Sequence, residues 1–238
     1  MNEPAVPVFP PLLKGLAVAA GIDPFATAIQ TAQTGCDAGL ILYAPHSTDL
    51  EMAIVLAPEV PLSKAAAMLP LCALGFHNAL GSLAPPEVAV NLTWAGGIRV
   101  NDADCGRLRI AASTGDPGAV PDWLIIGVQV PLWPQSDTPG DTPDQTSLYA
   151  EGCGDVDPVE LLEFWARHTL VAINHWSQDG AGSLHRDWVE LAYGIGGDIT
   201  TGGQTGTFLG IDEDFGLLLK TNDRTTVIPL TTLLEAPV

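Results

Sequence analysis

Positive charge is what this chain lacks. Nine Lys and Arg stand against 28 Asp and Glu, a formal net charge of -19 over 238 residues. A nucleic-acid surface needs clustered cations to meet phosphate, and bases scattered singly do not supply them. An anionic membrane surface is disfavoured on the same ground. Long apolar runs are missing too. Residues 12–22 are interrupted by Lys14 and fall short of the ~20 residues a spanning helix requires. The same segment makes a poor secretion signal, because Glu3 and several prolines precede it and no base does. Cysteine is sparse: Cys36, Cys72, Cys105 and Cys153 stand far apart, without Cys-x-x-Cys spacing or an adjacent histidine pair. Zinc and redox motifs are therefore absent, no metal is expected, and the thiols read as reduced ones in a cytoplasmic protein.

What is present is apolar mass. The chain is 47% hydrophobic and only 16% charged, enough for one large domain, or one domain with a small appendage, and too much for a disordered acidic tail. Asp23-Pro24 opens a short helix that Gly35 stops. The runs at 38–44 and 52–56 read as strands covered on both faces. A helix follows over 65–83, with Ser63 as its cap and Pro85-Pro86 as its stop. Strands are expected at 88–94, 98–100, 108–112 and 123–132, with a turn at Asn101-Asp102 and an exposed loop over 133–145. Asp157-Pro158-Val159-Glu160 is a capping-box start for a long amphipathic helix through Trp176, and a shorter helix is expected over 184–193. The Gly-rich stretch 194–206 reads as a hinge or linker. Three short strands at 207–211, 215–221 and 225–230 then make a compact β appendage. The fold class is α+β: a mixed sheet flanked by helices over 1–198, and a small all-β subdomain over 199–238.

Most chemistry-bearing residues have plain readings. His168 and His175, seven apart on one helix face, lack a further ligand and read as structural. Asp214-Phe215-Gly216 spells a kinase magnesium motif, but the Gly-rich loop, lysine strand and catalytic loop that go with it are missing, so chance explains it. The 194–203 glycines lack the strand-before, helix-after context of a phosphate cradle. Trp94-Ala95-Gly96-Gly97 is the exception, since two glycines after a strand-ending tryptophan let the backbone approach something closely. A tight hairpin corner and the wall of a ligand pocket are equally good readings of it.

The order of segments resembles the biotin/lipoate protein ligase family over most of the chain. That family carries a Trp-Pro-Asn-Asp motif, then a strand, a turn and a catalytic lysine; the counterpart here is Trp94-Ala95-Gly96-Gly97-Ile98, running on to Cys105-Gly106-Arg107-Leu108. The family's Gly-x-Gly-x-Asn strand stands here as Gly127-Val128-Gln129-Val130-Pro131. Thr146-Ser147-Leu148, the capped helix ending near Trp176, and the 206–219 tail are also similar, the tail resembling the SH3-like domain of biotin ligases. The resemblance implies a class II aminoacyl-tRNA synthetase/biotin ligase-like fold. It also implies a two-step reaction in which biotin or lipoate attacks ATP and the acyl group passes to a lysine of a carrier-protein acceptor.

The sequence departs from that pattern where cations are needed. The family lysine position falls on Ala103, the Gly/Arg loop is replaced by residues 45–51 without a single Arg or Gly, the motif's Asn and Asp by glycines, and the pocket Asn by Pro131. Losing one preorganised donor from such a site costs on the order of 100- to 1000-fold in rate. The expectation is a ligase scaffold with lost or altered activity that binds a small acyl or vitamin-like ligand through Trp94, Gly96, Gly97, Asn101, Gly106, Arg107, Gly127 and Gln129, with Arg107 as carboxylate partner. Arg107 and Arg109 alternate on one strand face. The alternatives are an active biotinyl, lipoyl or octanoyl ligase or acyltransferase with a rewired site, in which Cys105 is the acyl nucleophile, and a non-catalytic scaffold, with a homodimer formed through sheet edges.

Overall fold

Strands without polar alternation have to be covered on both faces, and two such runs take the middle of the sheet. In a computed structural model that describes residues 6–45, 47–134, 144–222 and 224–236, these are β3 (Asp49–Leu56) and β7 (Leu124–Pro131). Around them stand β1 (Lys14–Ala17), β2 (Leu40–Tyr43), β4 (Val90–Leu92), β5 (Gly97–Val100) and β6 (Ala103–Ala112). The seven strands run in the order β1-β2-β3-β7-β6-β5-β4. Only the β1–β2 pair is parallel.

Each sheet face is covered by helices, and an aspartate caps the start of one helix on each face. Helix α1 (Pro24–Thr34) begins where the Asp23 carboxylate accepts from the Phe25 amide. Its Phe25, Ala28 and Ile29 bury against Leu42, Ala53, Val55 and Ile125. The opposite face carries α3 (Met68–Leu83) and α4 (Pro158–Asp179). Asp157 caps α4 through the Val159 and Glu160 amides, and the fully buried Trp165 donates its indole N–H to the Cys72 carbonyl at 3.2 Å. The helix expected to run on from Ser63 is instead broken into α2 (Leu62–Ala65) and α3. Pro70 explains the break: it has no amide N–H and its ring crowds the carbonyl four residues back, so it fits only in a first turn. The segment Leu62–Leu83 has the length and hydropathy of a membrane span, but 72% of its apolar window is buried inside the protein.

Helix α5 (Gly182–Leu191) leads into a second antiparallel sheet of four strands: β8 (Asp198–Thr201), β9 (Gln204–Ile211), β10 (Leu217–Thr221) and β11 (Arg224–Ile228). Three strands were expected. The fourth, β8, sits inside the Gly-rich stretch, where Gly202 and Gly203 both take positive φ and turn β8 directly into β9. Phe208, Phe215, Leu217 and Leu219 belong to the same buried cluster as α3 and α4. Beyond a short 3-10 turn (Leu230–Leu233) the chain returns to the large sheet, and the Glu235 amide donates to the Ile110 carbonyl at 2.8 Å. Strand β1 carries no expected signal, because all four of its residues are exposed and it pairs only with β2. Most of the expected loop, residues 135–143, lies outside the described residues.

Candidate functional site

Register places a polar cluster on the α1 face of the sheet. Glu51 pairs with Gln129, Gln129 with Arg107, Ala53 with Gly127 and Gly127 with Arg109. Alternate residues of a strand share a face, and Gly127 fixes which: a Cβ there would lie 2.5 Å from the Phe25 ring of α1. Asp49, Glu51, Gln129, Arg107 and Arg109 therefore line one surface beside the start of α1. The Gln129 amide donates to Asp49 at 3.2 Å and to Glu51 at 3.4 Å. Burial pushes the Glu51 carboxyl above its ordinary range; a hydrogen bond from Ser47 opposes this, and the charges of Asp49 and Asp23 add to it.

The three neighbouring arginines have different fates. Arg109 lies over the Phe25 ring at 4.1 Å, takes both carboxylate oxygens of Glu235, and bonds Asp23 at 2.9 Å. Its guanidinium is held charged first by the Glu235 hydrogen bonds and then, against some burial, by Asp23. Arg99 pairs with Asp104 at 2.5 Å, donates to the Asp102 carbonyl, and covers the Tyr193 ring at 4.2 Å. Arg107 is exposed and has no ion-pair partner among the described residues.

The structure brings Arg107, Gln129 and Gly127 together, and Gly106 belongs with them because a Cβ at its positive φ would strike the Gln129 carbonyl at 2.3 Å. The remaining sequence-derived candidates sit elsewhere. Trp94 is 3% exposed on the α3 side, and its indole donates to the Phe215 carbonyl at 2.7 Å. Gly96 turns the chain against the Leu108 carbonyl, and the Gly97 amide bonds the Thr93 hydroxyl at 2.8 Å. Asn101 and Asp102, both at positive φ, form the β5–β6 hairpin turn, and the Asn101 side chain bridges Ala89 and Glu151. Sequence reasoning missed Asp49, Glu51, Asp23 and Glu235. Two acids spaced by two in an otherwise apolar strand were the available signal for the first pair.

Two nucleophile types are placed away from this cluster. Cys105 is fully buried, and its thiol is pushed up to about 12 by burial and then by Glu151 and Cys153. Lys14 sits level with Leu40, Val55 and Ile125, on the order of 13 Å along the strands from the Glu51–Gln129 pair at 3.3 Å per residue. Lys64 pairs with Asp214 in the interdomain region, and Lys220 is exposed on β10. Among the described residues no group of His, Cys, Asp and Glu is placed to hold a metal ion.

The profile of the Biotin/lipoate A/B protein ligase family matches residues 9–190. The chain belongs to that family. Residues 195–236 match a domain of unknown function, DUF4444. A biotin protein ligase-like protein of unknown function from Silicibacter sp. TM1040 is 56% identical, with a TM-score of 0.92 over 97% of this chain and 100% of that one. The biotin protein ligase from Aquifex aeolicus shares the fold at 18% identity, with a TM-score of 0.70 over 91% and 94% of the two chains. That enzyme in complex with biotin and ATP gives 0.67 at 18% identity over 91% and 94%. No curated protein gives a significant sequence match. The biotin/lipoate ligase scaffold is thus present, with a seven-stranded mixed sheet between helices and a small β subdomain behind it. Within this scaffold there is no lysine between residues 64 and 220.

Proposed function

We propose that this protein uses the biotin/lipoate ligase scaffold to bind a small acyl or vitamin-like carboxylate, and that it does not adenylate it. Arg107 carries the reading. Of the three clustered arginines it alone has no carboxylate partner among the described residues, and its exposed guanidinium has the geometry for a bidentate carboxylate contact. Gln129 stands across the strand pair from it, with its amide N–H groups turned to Asp49 and Glu51. Its amide oxygen is left to accept a polar group of the ligand. Gly127 lets the Phe25 ring of α1 settle on the sheet beside them, and Gly106 lets β6 close on the Gln129 carbonyl.

Adenylation is disfavoured by charge. The β2–β3 connection holds neither Arg nor Gly, and Asp49 and Glu51 share the sheet face of Arg107 with Asp23 near Glu51. A triphosphate meets repulsion there rather than a clamp. Rewired acyl transfer through Cys105 is disfavoured as well, since burial pushes its thiol up to about 12 and so keeps it protonated at neutral pH.

The test is calorimetry with octanoate, lipoate and biotin, on the intact protein and on Arg107→Ala. Binding of at least one acid, weakened about tenfold or more by the substitution, is the expected result. No heat with any of the acids, or binding indifferent to Arg107, overturns the assignment.

A further inference from the structure

A second site lies at the other end of β3, independent of the proposed carboxylate site. The residues after Leu56, the end of α4 and the β9–β10 turn of the small subdomain line an open cleft of about 1270 Å³. Leu56, Met68, Ile173, Trp176 and Phe215 supply apolar wall. Such volume, apolar lining and a few convergent charges are the usual marks of a small-molecule site.

The charges are of nearly one sign. Glu59, Asp212, Glu213 and Asp214 line the cavity against a single ammonium, Lys64. Lys64 is bonded to Asp214 at 2.5 Å. Asp212 is turned into its own loop, accepting from the Asp214 and Gly216 amides at 2.9 and 2.7 Å. Glu59 and Glu213 are exposed, and neither has an ion-pair partner among the described residues. The acidic turn acts on the exposed Lys64 ammonium, whose pKa is raised first by its Asp214 hydrogen bond and, against a desolvation that lowers it, by the charges of Asp214, Glu213 and Asp212. An apolar wall beneath unpaired carboxylates complements one chemistry, a greasy body ending in a cation.

We propose that this interdomain cavity binds a small amphipathic amine, its apolar part against Trp176 and Met68 and its ammonium at Glu59 and Glu213. The full chain is titrated with octylammonium, octanoate and octanol while tryptophan fluorescence is followed. Only the part of the signal that Trp176→Phe removes is counted, so a carboxylate held at Arg107 does not enter. Octylammonium is expected to saturate that signal at least about tenfold more tightly than the other two, more weakly as salt is raised. Glu59→Gln and Glu213→Gln, both exposed and harmless to folding, are each expected to weaken it about threefold. Ala181→Trp, which places a ring in the cavity, is expected to abolish it. Octanoate binding as tightly as octylammonium, no saturable signal, or binding unchanged in both glutamine variants overturns the proposal.

Discussion

The indole N–H of Trp94 donates to the main-chain carbonyl of Phe215 at 2.7 Å, across 121 residues of sequence. Both side chains are buried, at 3% and 1% exposure, so this bond joins the ligase-like domain to the small sheet in a dry place. Phe215 itself sits at φ 62 in the β9–β10 turn, where the Asp212 carboxylate holds the backbone. Trp94→Phe keeps the apolar body and leaves the carbonyl unsatisfied. We expect a loss of about 1–3 kcal/mol in urea unfolding of the whole chain. An unchanged midpoint would show that the junction is held by apolar packing alone.

Gly127 has no room for a side chain. A Cβ there would meet the Phe25 ring at 2.5 Å, and Phe25 is pinned by the Asp23 cap and the overlying Arg109. Gly127→Ala should cost about 1–3 kcal/mol by overpacking. Phe25→Leu should relieve part of that cost, so the double variant is expected to be more stable than the two single losses predict by addition. Strict additivity would mean that the sheet, not the ring, gives way.

Glu51 sets a pH dependence with a definite sign. Burial, the leading cause, lifts its carboxyl above the ordinary value of 4.5, so the folded state holds a proton that the unfolded state has released. Stability from this group is full below 4.5 and falls as pH rises through the interval up to the folded value. Glu51→Gln removes the penalty. The variant should match the wild type in acid and exceed it at neutral pH by less than about 1 kcal/mol, since the site is partly solvated. A gap that closes toward neutral pH would reverse the assignment.

Thiol accessibility checks the placement of the nucleophile candidates. Cys36 is exposed, while Cys72, Cys105 and Cys153 are buried and burial raises the pKa of each. An aromatic disulfide reagent should titrate one thiol in the native protein and four in guanidinium, with Cys36→Ser abolishing the native reaction. Rapid native labelling of Cys105 would restore it as a nucleophile.

The sequence was legible wherever local chemistry decides. Asp23-Pro24 and Asp157-Pro158 announce helices because a capping carboxylate and a proline without N–H act over three residues. The buried strands β3 and β7 declare themselves by composition. Other elements depend on partners. β1 is a strand only because β2 offers it an edge, and β8 is one only because Gly202-Gly203 folds it onto β9. In the candidate site, the alternation of Arg107 and Arg109 was readable, but their opposite fates were not. Arg109 is taken by Asp23 and Glu235, 86 and 126 residues away. Trp94 illustrates the same limit, since its bond to Phe215 has no local signature.

The central claim is that this ligase scaffold binds a carboxylate without activating it. ATP–pyrophosphate exchange, measured on the full chain with octanoate, lipoate or biotin present, tests this most directly. We predict exchange at the protein-free rate with every acid, including any that binds by calorimetry. Acid-dependent exchange above that rate, with Arg107→Ala removing it, would contradict the account.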